Sequence, residues 1–426
     1  MLITAVSACS ARNSIQYQDG ESYAGNRYRG QYNPFHNGHQ YHIAQAKTMA
    51  EADGVIAVMS GSFTQRGEAA VFDKWTRTEL ALTSGVDLVL ELPTAFSVRS
   101  AAYFASGAVQ TLAATGICKY LSCGAESENT ADLSRLALYL ANEPEEYQNT
   151  LQDYLQKGLS FPDARQKALE ALNIPGFESI SQPNNILALH YLETIHRCGL
   201  SLTPLLVARR GSYNDTSVPA DSAAFASASA IRRLFAQQNS GWVQQVPAPV
   251  AAIIRRQMQK GCIPIQMESF ALAIFTLLRR STPEELSEIL EISEGLEHRM
   301  YDAAFQTETL DDLCTAIKSR RYTYTRIQRT LCHLLLNMKQ DMNFTAPQYI
   351  RILGFNETGQ KLLKEMKKTA QLPVITRPAR QRGLLNSEAQ RMLALDYRAT
   401  AIHMTGYPVS VRPNAAIDLL QMPVKV

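Results

Sequence analysis

The sequence lacks several features that would place it in a specialised class of protein. Its seven cysteines are scattered without any CxxC pair, which argues against a zinc site or a disulfide framework and favours buried packing roles. The longest apolar stretch, at 270–278, is far too short to span a bilayer. There is no internal repeat and no low-complexity segment. This composition agrees with a soluble cytoplasmic enzyme, and 426 residues predict two or three domains.

The chain also has little net charge, since 42 basic residues face 39 acidic ones and leave +3. That balance does not by itself predict nucleic-acid binding. The distribution is more suggestive, because basic residues interleaved with tyrosines suit phosphate contact and base stacking. The alternative is that these residues form solvated helical faces, as charge runs usually do. Three groups stand out: Lys318, Arg320, Arg321, Arg326 and Arg329 around Tyr322 and Tyr324; Lys361, Lys364, Lys367 and Lys368; and Arg377, Arg380 and Arg382.

Near the N-terminus, three of the eight histidines fall within seven residues, at His36, His39 and His42. Proline at 34 predicts a turn, and Gly38 leaves room for a close backbone approach. A helix is predicted from about His39. The imidazoles therefore lie at a helix N-terminus, where N–H groups and the macrodipole favour phosphate, although paired histidines can also ligate metals. The full string, Tyr32, Asn33, Pro34, Phe35, His36, Asn37, Gly38 and His39, is a form of the HxGH signature of nucleotide-transferring α/β enzymes.

The sequence that follows predicts the strands and the helix that surround the histidine motif. The apolar run at 55–59 is typical of a buried parallel strand, and a loop at 60–68, a helix-like stretch at 76–84 and a second strand at 86–93 follow it. That order indicates a parallel sheet with helical crossovers, on which ligands bind at the carboxyl ends of the strands. The residues expected at that edge are Ser60, Gly61, Arg66 and Lys74.

Further strings follow in order: DLVLELP at 87–93, SAAYFA at 100–105, GAE at 124–126, PNNIL at 183–187, ARRGSYND at 208–215 and SASAIR at 227–232. Together with the first two blocks they resemble the tRNA(Met) cytidine acetate ligase family of bacteria, from about residue 31 onward. The resemblance implies an α/β fold, with a nucleotidyltransferase-like (HIGH-type) parallel sheet domain followed by a mostly helical C-terminal domain. It also implies that acetate is activated with ATP to acetyl-adenylate, and that the wobble cytidine of elongator methionine tRNA is then acetylated.

Site residues carry over with the motifs. Catalytic roles are predicted for His36, His39 and Lys74, and Mg²⁺ is expected to accompany ATP without assigned protein ligands. Asn185 and Arg210 remain alternatives to the neighbouring Asn184 and Arg209, and alanine at 125 replaces the family's usual serine. The predicted ATP site comprises Tyr32, Asn33, Pro34, Phe35, His36, Asn37, Gly38, His39, His42, Gly124, Asn184 and Arg209.

The predicted organisation has three parts. Residues 1–30 form an atypical segment, residues 31–238 the ATP- and acetate-activating domain, and residues 242–426 a helical domain that contributes to tRNA binding. The family places an apolar strand directly before the histidine motif, but residues 22–31 contain two arginines and two glycines instead. Either the strand-like piece at 1–8 supplies this strand across a long insertion, or the sheet lacks a proper first strand.

Helix signals dominate the last part. Thr282 reads as an N-cap followed by proline and two glutamates, with Leu286, Ile289, Leu290 and Ile292 at mainly helical spacing. An amphipathic helix is predicted at 326–338. Two other functions stay open: a small-molecule adenylyltransferase that never touches RNA, and a catalytically silent RNA-binding relative, which the unusual N-terminus would suit.

Overall fold

The computed structural model describes residues 2–6, 25–30, 32–125, 130–178, 183–208, 225–319 and 321–426. For residues 2–6, 25–30, 130, 183 and 184 it describes the backbone alone.

One mixed sheet organises this part of the chain. Its nine strands are β1 (Leu2–Val6), β2 (Gly25–Gly30), β3 (Gly54–Ser60), β4 (Leu88–Leu92), β5 (Tyr120–Ala125), β6 (Thr203–Ala208), β7 (Ile350–Phe355), β8 (Val374–Ile375) and β9 (Val424–Lys425). The order across the sheet is β6-β5-β1-β2-β3-β4-β7-β8, and β9 also pairs with β7.

The strand directions create the edge that the sequence predicts. Strands β2, β3 and β4 pair in parallel, as do β5 and β6. Because β1 runs antiparallel to both β2 and β5, these five strands all point the same way. Strand β7 runs antiparallel to β4, and β8 and β9 follow the direction of β7. The carboxyl ends of β2, β3 and β5 therefore lie at one edge of the sheet.

Nineteen α-helices surround the sheet in the described residues. They are α1 (Asn37–Ala50), α2 (Lys74–Leu82), α3 (Thr94–Ser97), α4 (Ala101–Ala113), α5 (Thr130–Asn142), α6 (Glu145–Gln156), α7 (Phe161–Ala171), α8 (Pro183–Arg197), α9 (Ala228–Ala236), α10 (Ala248–Gln259), α11 (Ala271–Arg280), α12 (Pro283–Ser287), α13 (Leu296–Ala304), α14 (Leu310–Ile317), α15 (Tyr324–Leu335), α16 (Glu357–Thr369), α17 (Pro378–Gln381), α18 (Ser387–Met404) and α19 (Ile417–Leu420).

Two hydrophobic clusters cover the two faces of the sheet. Alternate residues of β3 point into different clusters: Ile56 and Val58 enter one, while Val55 and Met59 enter the other. All four side chains are buried, which contributes about 1.5–3 kcal/mol for each fully buried aliphatic side chain. The predicted α/β fold class is confirmed, and strands β3 and β4 and helices α1 and α2 fall where the sequence predicts them.

The helix predicted after Thr282 is correct at its start and too long at its end. Thr282 accepts a hydrogen bond from the backbone N–H of Glu285, whose carboxylate caps the N–H of Thr282 in return. Helix α12 nevertheless ends at Ser287. Ile289 instead forms a β-bridge with Lys339, and the N–H of Leu290 donates to the carbonyl of Met338. These tertiary hydrogen bonds override the local helical spacing.

The N-terminal strands match neither of the two arrangements expected from the sequence. The position before the histidine motif is occupied by β2, which pairs with β3 over five residues despite the absence of an apolar run. Strand β1 is an additional antiparallel strand between β2 and β5. Main-chain N–H and C=O groups, which any non-proline residue supplies, make this pairing possible.

The second half of the chain is mostly helical, as predicted, but it also contributes to the sheet. Strands β7, β8 and β9 all come from residues 350–425 and extend the sheet beyond β4. Leu90 of β4 and Ile352 of β7 belong to the same hydrophobic cluster. The two halves therefore share a sheet and a core, and the division near residue 240 stays a prediction. Among the described residues, no helix combines the length and the apolar character needed to cross a membrane.

Candidate active site

The start of α1 is capped by two imidazole rings. Nδ1 of His36 accepts a hydrogen bond from the N–H of Gly38, and Nδ1 of His39 accepts one from the N–H of His36, each at 3.1 Å. The pair forms a reciprocal capping box in which histidines replace the usual serine and glutamate. Because Nδ1 is the acceptor in both rings, the proton of each neutral ring resides on Nε2. The donor N–H of each ring is therefore at Nε2.

Close packing fixes the two rings in place. Their centroids lie 3.6 Å apart in a stacked arrangement, and both side chains are buried. A Cβ at Gly38 would lie 3.0 Å from Cε1 of His36, so glycine allows the ring to fold against the helix start. Tyr32 and Phe35 pack around the ring of His39 at centroid distances of 5.1 and 5.3 Å. The geometry of the two rings therefore depends on Tyr32, Phe35 and Gly38 as well as on the histidines themselves.

His42 lies one turn further along α1 and connects the helix to the sheet. Its Nε2 is 3.0 Å from the hydroxyl of Ser122 in β5, and both side chains are buried. Gly124 follows two residues later, near the carboxyl end of β5, where it pairs with Val207 of β6. Gly124 therefore lies at the edge expected for an ATP site, and the ligand roles of both residues stay predictions.

The loop that follows β3 is bound to the histidine motif. The side-chain oxygen of Asn33 accepts the N–H of Val71 at 2.7 Å. Arg77, which is completely buried, donates to the carbonyl groups of Ser60, Gly61 and Phe72 and so holds both ends of the loop. Burial lowers the pKa of Arg77 to about 10, which leaves the guanidinium charged at neutral pH. No sequence signal distinguished this arginine, because the three groups through which it holds the loop are backbone oxygens.

The same loop rests on the helical half of the chain. Gly67 adopts a φ of +74°, and a Cβ at this position would lie 2.5 Å from the carbonyl oxygen of Gln328 in α15. A side chain larger than hydrogen would be strained by the backbone angle and would clash with α15. Gly67 thus allows the loop after β3 to contact α15 directly.

The string at 227–232 meets the histidine motif through Arg232. Ser227 caps α9 by accepting the N–H of Ala230 at 3.0 Å. Arg232 donates to the carbonyl of Asn33 at 3.1 Å and to the carboxylate of Glu68 at 2.8 Å. Three segments that are far apart in sequence therefore converge at the N-termini of α1 and α9, and both termini favour phosphate.

Lys74, predicted to be catalytic, lies in a buried ionic cluster. Its ammonium is within 2.9 Å of both oxygens of Glu91 and 2.7 Å from Asp418 in α19. Arg351 of β7 bonds the same two carboxylates. Burial alone would raise the pKa of Asp418, but the charges of Arg351 and Lys74 lower it to about 2. The sequence placed Lys74 at the open edge of the sheet, whereas the structure buries it; its catalytic role stays a prediction.

Residues 30–416 match the sequence model of the HIGH Nucleotidyl Transferase family. The tRNA(Met) cytidine acetate ligase of Thermoanaerobacter sp. (strain X514) is 39% identical over 402 residues, covering 93% of this chain and 98% of that relative. The corresponding protein of Halothermothrix orenii is 38% identical and covers 92% and 96%. The chain belongs to the tRNA(Met) cytidine acetate ligase family. The structure of Thermotoga maritima TmcAL bound with alpha-thio ATP is similar, with a TM-score of 0.87 and 33% identity over 94% of this chain and 99% of that one.

Two of the residues predicted from this ligase family lie at the limits of the described segments. Arg209 and its alternative Arg210 are outside the described residues, directly after β6. For Asn184 only the backbone is described, at the start of α8, whereas the side chain of Asn185 is completely buried. Both choices stay open.

The first basic group is largely engaged in ion pairs. Arg321 and Arg326 both contact Glu294, at 3.4 and 3.7 Å, and Arg329 pairs with Glu291. Tyr322 is buried and its hydroxyl donates to the carbonyl of Glu294, so it acts in packing. Arg320 is outside the described residues.

Members of the other two basic groups line one groove. Exposed lysines of α16 line one side of it, and Arg377 and Lys425 complete the basic lining. This groove, called here the α16 groove, contains one acidic residue, Glu357. Basic side chains outnumber acidic ones in the α16 groove. It is therefore a stronger candidate than the first basic group for contact with RNA phosphates in a member of this ligase family. The lysines concerned are Lys361, Lys364 and Lys367.

The buried side chain of His403 makes the stability of the protein depend on pH. Its Nε2 donates to the carbonyl of Ala70 at 2.7 Å, and Nδ1 has no hydrogen-bond partner among the described residues. Burial lowers the pKa of His403 to about 4. The unfolded chain, with a pKa near 6.5, therefore binds the proton more readily, and stability is lost as pH falls from about 6.5 toward 4.

His403→Gln keeps a donor for Ala70 and removes the titrating group. Between pH 7 and pH 5 the wild type is expected to lose about 2 kcal/mol more unfolding free energy than the variant. Urea unfolding of both proteins at both pH values measures this difference. The comparison is needed because burial raises the pKa of Asp396 to about 7, which changes stability in the opposite direction over the same range. If both proteins lose the same unfolding free energy between pH 7 and pH 5, His403 is not the source of this pH dependence.

Proposed function

We propose that this chain is an ATP-dependent tRNA(Met) cytidine acetate ligase. It activates acetate to acetyl-adenylate with release of pyrophosphate, and it transfers the acetyl group to the exocyclic amine of the wobble cytidine of elongator methionine tRNA. The observation that carries the proposal is the stacked pair His36 and His39, with both Nδ1 atoms committed to the backbone and Arg232 joining the motif to α9. Its membership of the ligase family and its likeness to a relative bound to an ATP analogue support this reading.

The arrangement suits the first step. Acetate is an anion at neutral pH, so activation needs no general base. One acetate oxygen attacks the α-phosphorus, and the bond from that phosphorus to the bridging oxygen of pyrophosphate breaks with its electron pair. Negative charge builds on the phosphate oxygens, where the Nε2–H donors of His36 and His39 and the N-terminus of α1 stabilise it. Gly124 and His42, together with Asn184 and Arg209, complete the proposed ATP site.

The second step transfers the acetyl group. The amine nitrogen of cytidine attacks the acetyl carbon, and the bond from that carbon to the phosphate oxygen breaks as AMP leaves. The proton lost by the amine passes to the released phosphate. This step needs the two substrates side by side, so positioning supplies most of the acceleration.

Mg²⁺ is proposed to arrive with ATP. Among the described residues, no group of three or more His, Cys, Asp or Glu side chains could hold a metal ion. Nucleotide-bound Mg²⁺ usually keeps several waters and binds substrate phosphates with only one or two carboxylates, so such a group is not required. When bound, the ion neutralises phosphate charge.

Acetate-dependent exchange of labelled pyrophosphate into ATP tests the first step, and transfer of labelled acetate to tRNA tests the second. A tRNA(Met) ligase shows both activities, and the second depends on a cytidine at the wobble position. Exchange that needs a different acid, without transfer to RNA, would identify a small-molecule adenylyltransferase. Binding of tRNA with neither activity would identify a silent relative.

The α16 groove gives a prediction for tRNA binding. Substituting Lys361, Lys364 and Lys367 together with alanine is expected to weaken tRNA binding and to reduce its salt dependence. Each lost phosphate contact lowers the slope of log affinity against log salt by about 0.7–0.9. Pyrophosphate exchange is expected to remain, because the groove lies at the far side of β7 from the histidine motif. Affinity measured across a salt series checks the slope.

A matched control removes three exposed lysines elsewhere, at Lys157, Lys167 and Lys260. If the control variant and the α16 groove variant lower the slope of log affinity against log salt equally, the effect reflects net charge and not the groove. If only the triple variant at Arg320, Arg321 and Arg326 changes it, the RNA surface lies around Tyr322 instead.

A further inference from the structure

A second pocket opens beside the histidine motif and encloses about 350 Å³. Its walls come from the loop after β3, from α9, from residues 264–268 and from helices α14 and α15. The volume falls in the range of about 300–1,000 Å³ that small-molecule sites occupy. The lining residues that matter most for the argument below are Glu68, Arg232, Phe235, Ala236, Asp311 and Tyr324.

This pocket shares a wall with the proposed ATP site. Arg232 lines it and also donates to the carbonyl of Asn33 in the histidine motif. Val71 lines it as well, and its N–H donates to the side chain of Asn33. A molecule in the pocket would therefore lie next to the segment that we propose holds the phosphates of ATP.

The lining combines ring surfaces with polar groups of both signs. Tyr324 and Phe235 offer aromatic surface. The carboxylates of Glu68, Glu268 and Asp311 outnumber the guanidinium groups of Arg232 and Arg233. Such a lining is poorly suited to a phosphate. It suits a flat, uncharged ring that carries an amine donor as well as acceptors, because aromatic faces stack on rings and carboxylates accept from amines.

We propose that this pocket receives the cytosine ring of the acceptor nucleotide, turned out of the RNA loop so that its amine faces acetyl-adenylate. The proposal rests on the proposed function and adds the binding place of the second substrate. Bases in RNA loops are unpaired, so turning one outward costs little, and enzymes that modify a base usually read it in a separate pocket of this kind. Stacking on an aromatic side chain strengthens binding of a base by about tenfold or more.

The first test narrows the pocket without removing a contact. Ala236, the last residue of α9, is exposed and lines the pocket, so Ala236→Trp places an indole at its mouth. Ala252→Trp is the matched control, because Ala252 is an exposed alanine of α10 that does not line the pocket. Ala236→Trp is expected to raise the KM for tRNA or lower the transfer rate by about tenfold or more, with pyrophosphate exchange within twofold of wild type. The control is expected to change neither.

The second test asks whether the ring of Tyr324 stacks on the base. Tyr324→Ala removes the ring, whereas Tyr324→Phe keeps it and loses the interactions of the hydroxyl with Asp311 and Cys314. Transfer is expected to fall in the alanine variant and to survive in the phenylalanine variant. Melting temperatures of both variants show whether a loss reflects unfolding, and Ala236→Trp remains informative if the alanine variant unfolds.

The outcomes separate the two proposals. Absence of acetate-dependent exchange in the unaltered protein would overturn the proposed function, and this proposal with it. Intact exchange together with unimpaired transfer in Ala236→Trp would overturn only the pocket. Loss of exchange in Ala236→Trp but not in Ala252→Trp would assign the pocket to acetate or ATP and would also overturn it.

Discussion

Replacing His36 or His39 with asparagine is expected to slow acetate-dependent pyrophosphate exchange by about a hundredfold or more while the protein stays folded. Each imidazole has two separable tasks. Nδ1 accepts a backbone N–H at the start of α1, and the tautomer that this bond selects places the donor N–H on Nε2. Asparagine is a strong helix-capping residue and can replace the Nδ1 acceptor, but its short side chain cannot reproduce the distal donor.

Alanine at the same positions separates the tasks further. His36→Ala and His39→Ala are expected to slow pyrophosphate exchange as much as the asparagine variants do. Each alanine variant should also lose about 0.5–2 kcal/mol of stability, because a helix cap is removed. His298→Asn on α13 is the control, since this histidine is exposed. Initial rates of exchange and urea unfolding measure the two effects. Exchange close to the wild-type rate in the asparagine variants would remove both histidines from the catalytic machinery.

Replacing Lys74 with methionine is expected to destabilise the protein by about 3–5 kcal/mol. The ammonium is completely buried between Glu91 and Asp418, so its removal takes one cationic partner away from both buried carboxylates, which remain paired with Arg351. An uncompensated buried charge is among the most costly single defects in a folded protein. The expected result is a large fall in melting temperature or failure to fold.

A compensated variant distinguishes a structural role of Lys74 from a catalytic one. Lys74→Met combined with Glu91→Gln removes one charge of each sign and is expected to recover part of the lost stability. If the double variant folds and exchanges pyrophosphate, the catalytic prediction for Lys74 is wrong. If it folds with normal melting and no exchange, the prediction is supported. A single Lys74→Met variant with wild-type stability would contradict the burial argument instead.

The parts of the site that could be predicted from sequence are those encoded locally. Proline, glycine and histidine within eight residues specify a turn and a capped helix start, and the structure has α1 there. The apolar run before Ser60 likewise specifies β3. Each of these features depends on residues close together in the chain, so its physical cause is visible in the sequence.

The missed features depend on partners that only the folded chain brings together. Arg77 looks like an ordinary helical arginine until β3 and its loop place three carbonyl groups around it. Lys74 looks like a surface charge because Asp418 lies 344 residues away. Strand β7 was not predicted as a strand, since it is a short segment with a glycine inside a helical half, and its pairing with β4 joins residues more than 250 positions apart.

The pairing of β4 with β7 determines how the two half-reactions can be studied. In a chain shortened to its first 241 residues, β4 would become an edge strand with a row of unpaired N–H and C=O groups. Its side chains are buried on both faces, so that edge would be apolar and would pair readily with other copies. Such a fragment is expected to aggregate, and acetate activation must be separated from acetyl transfer by point substitutions in the whole chain.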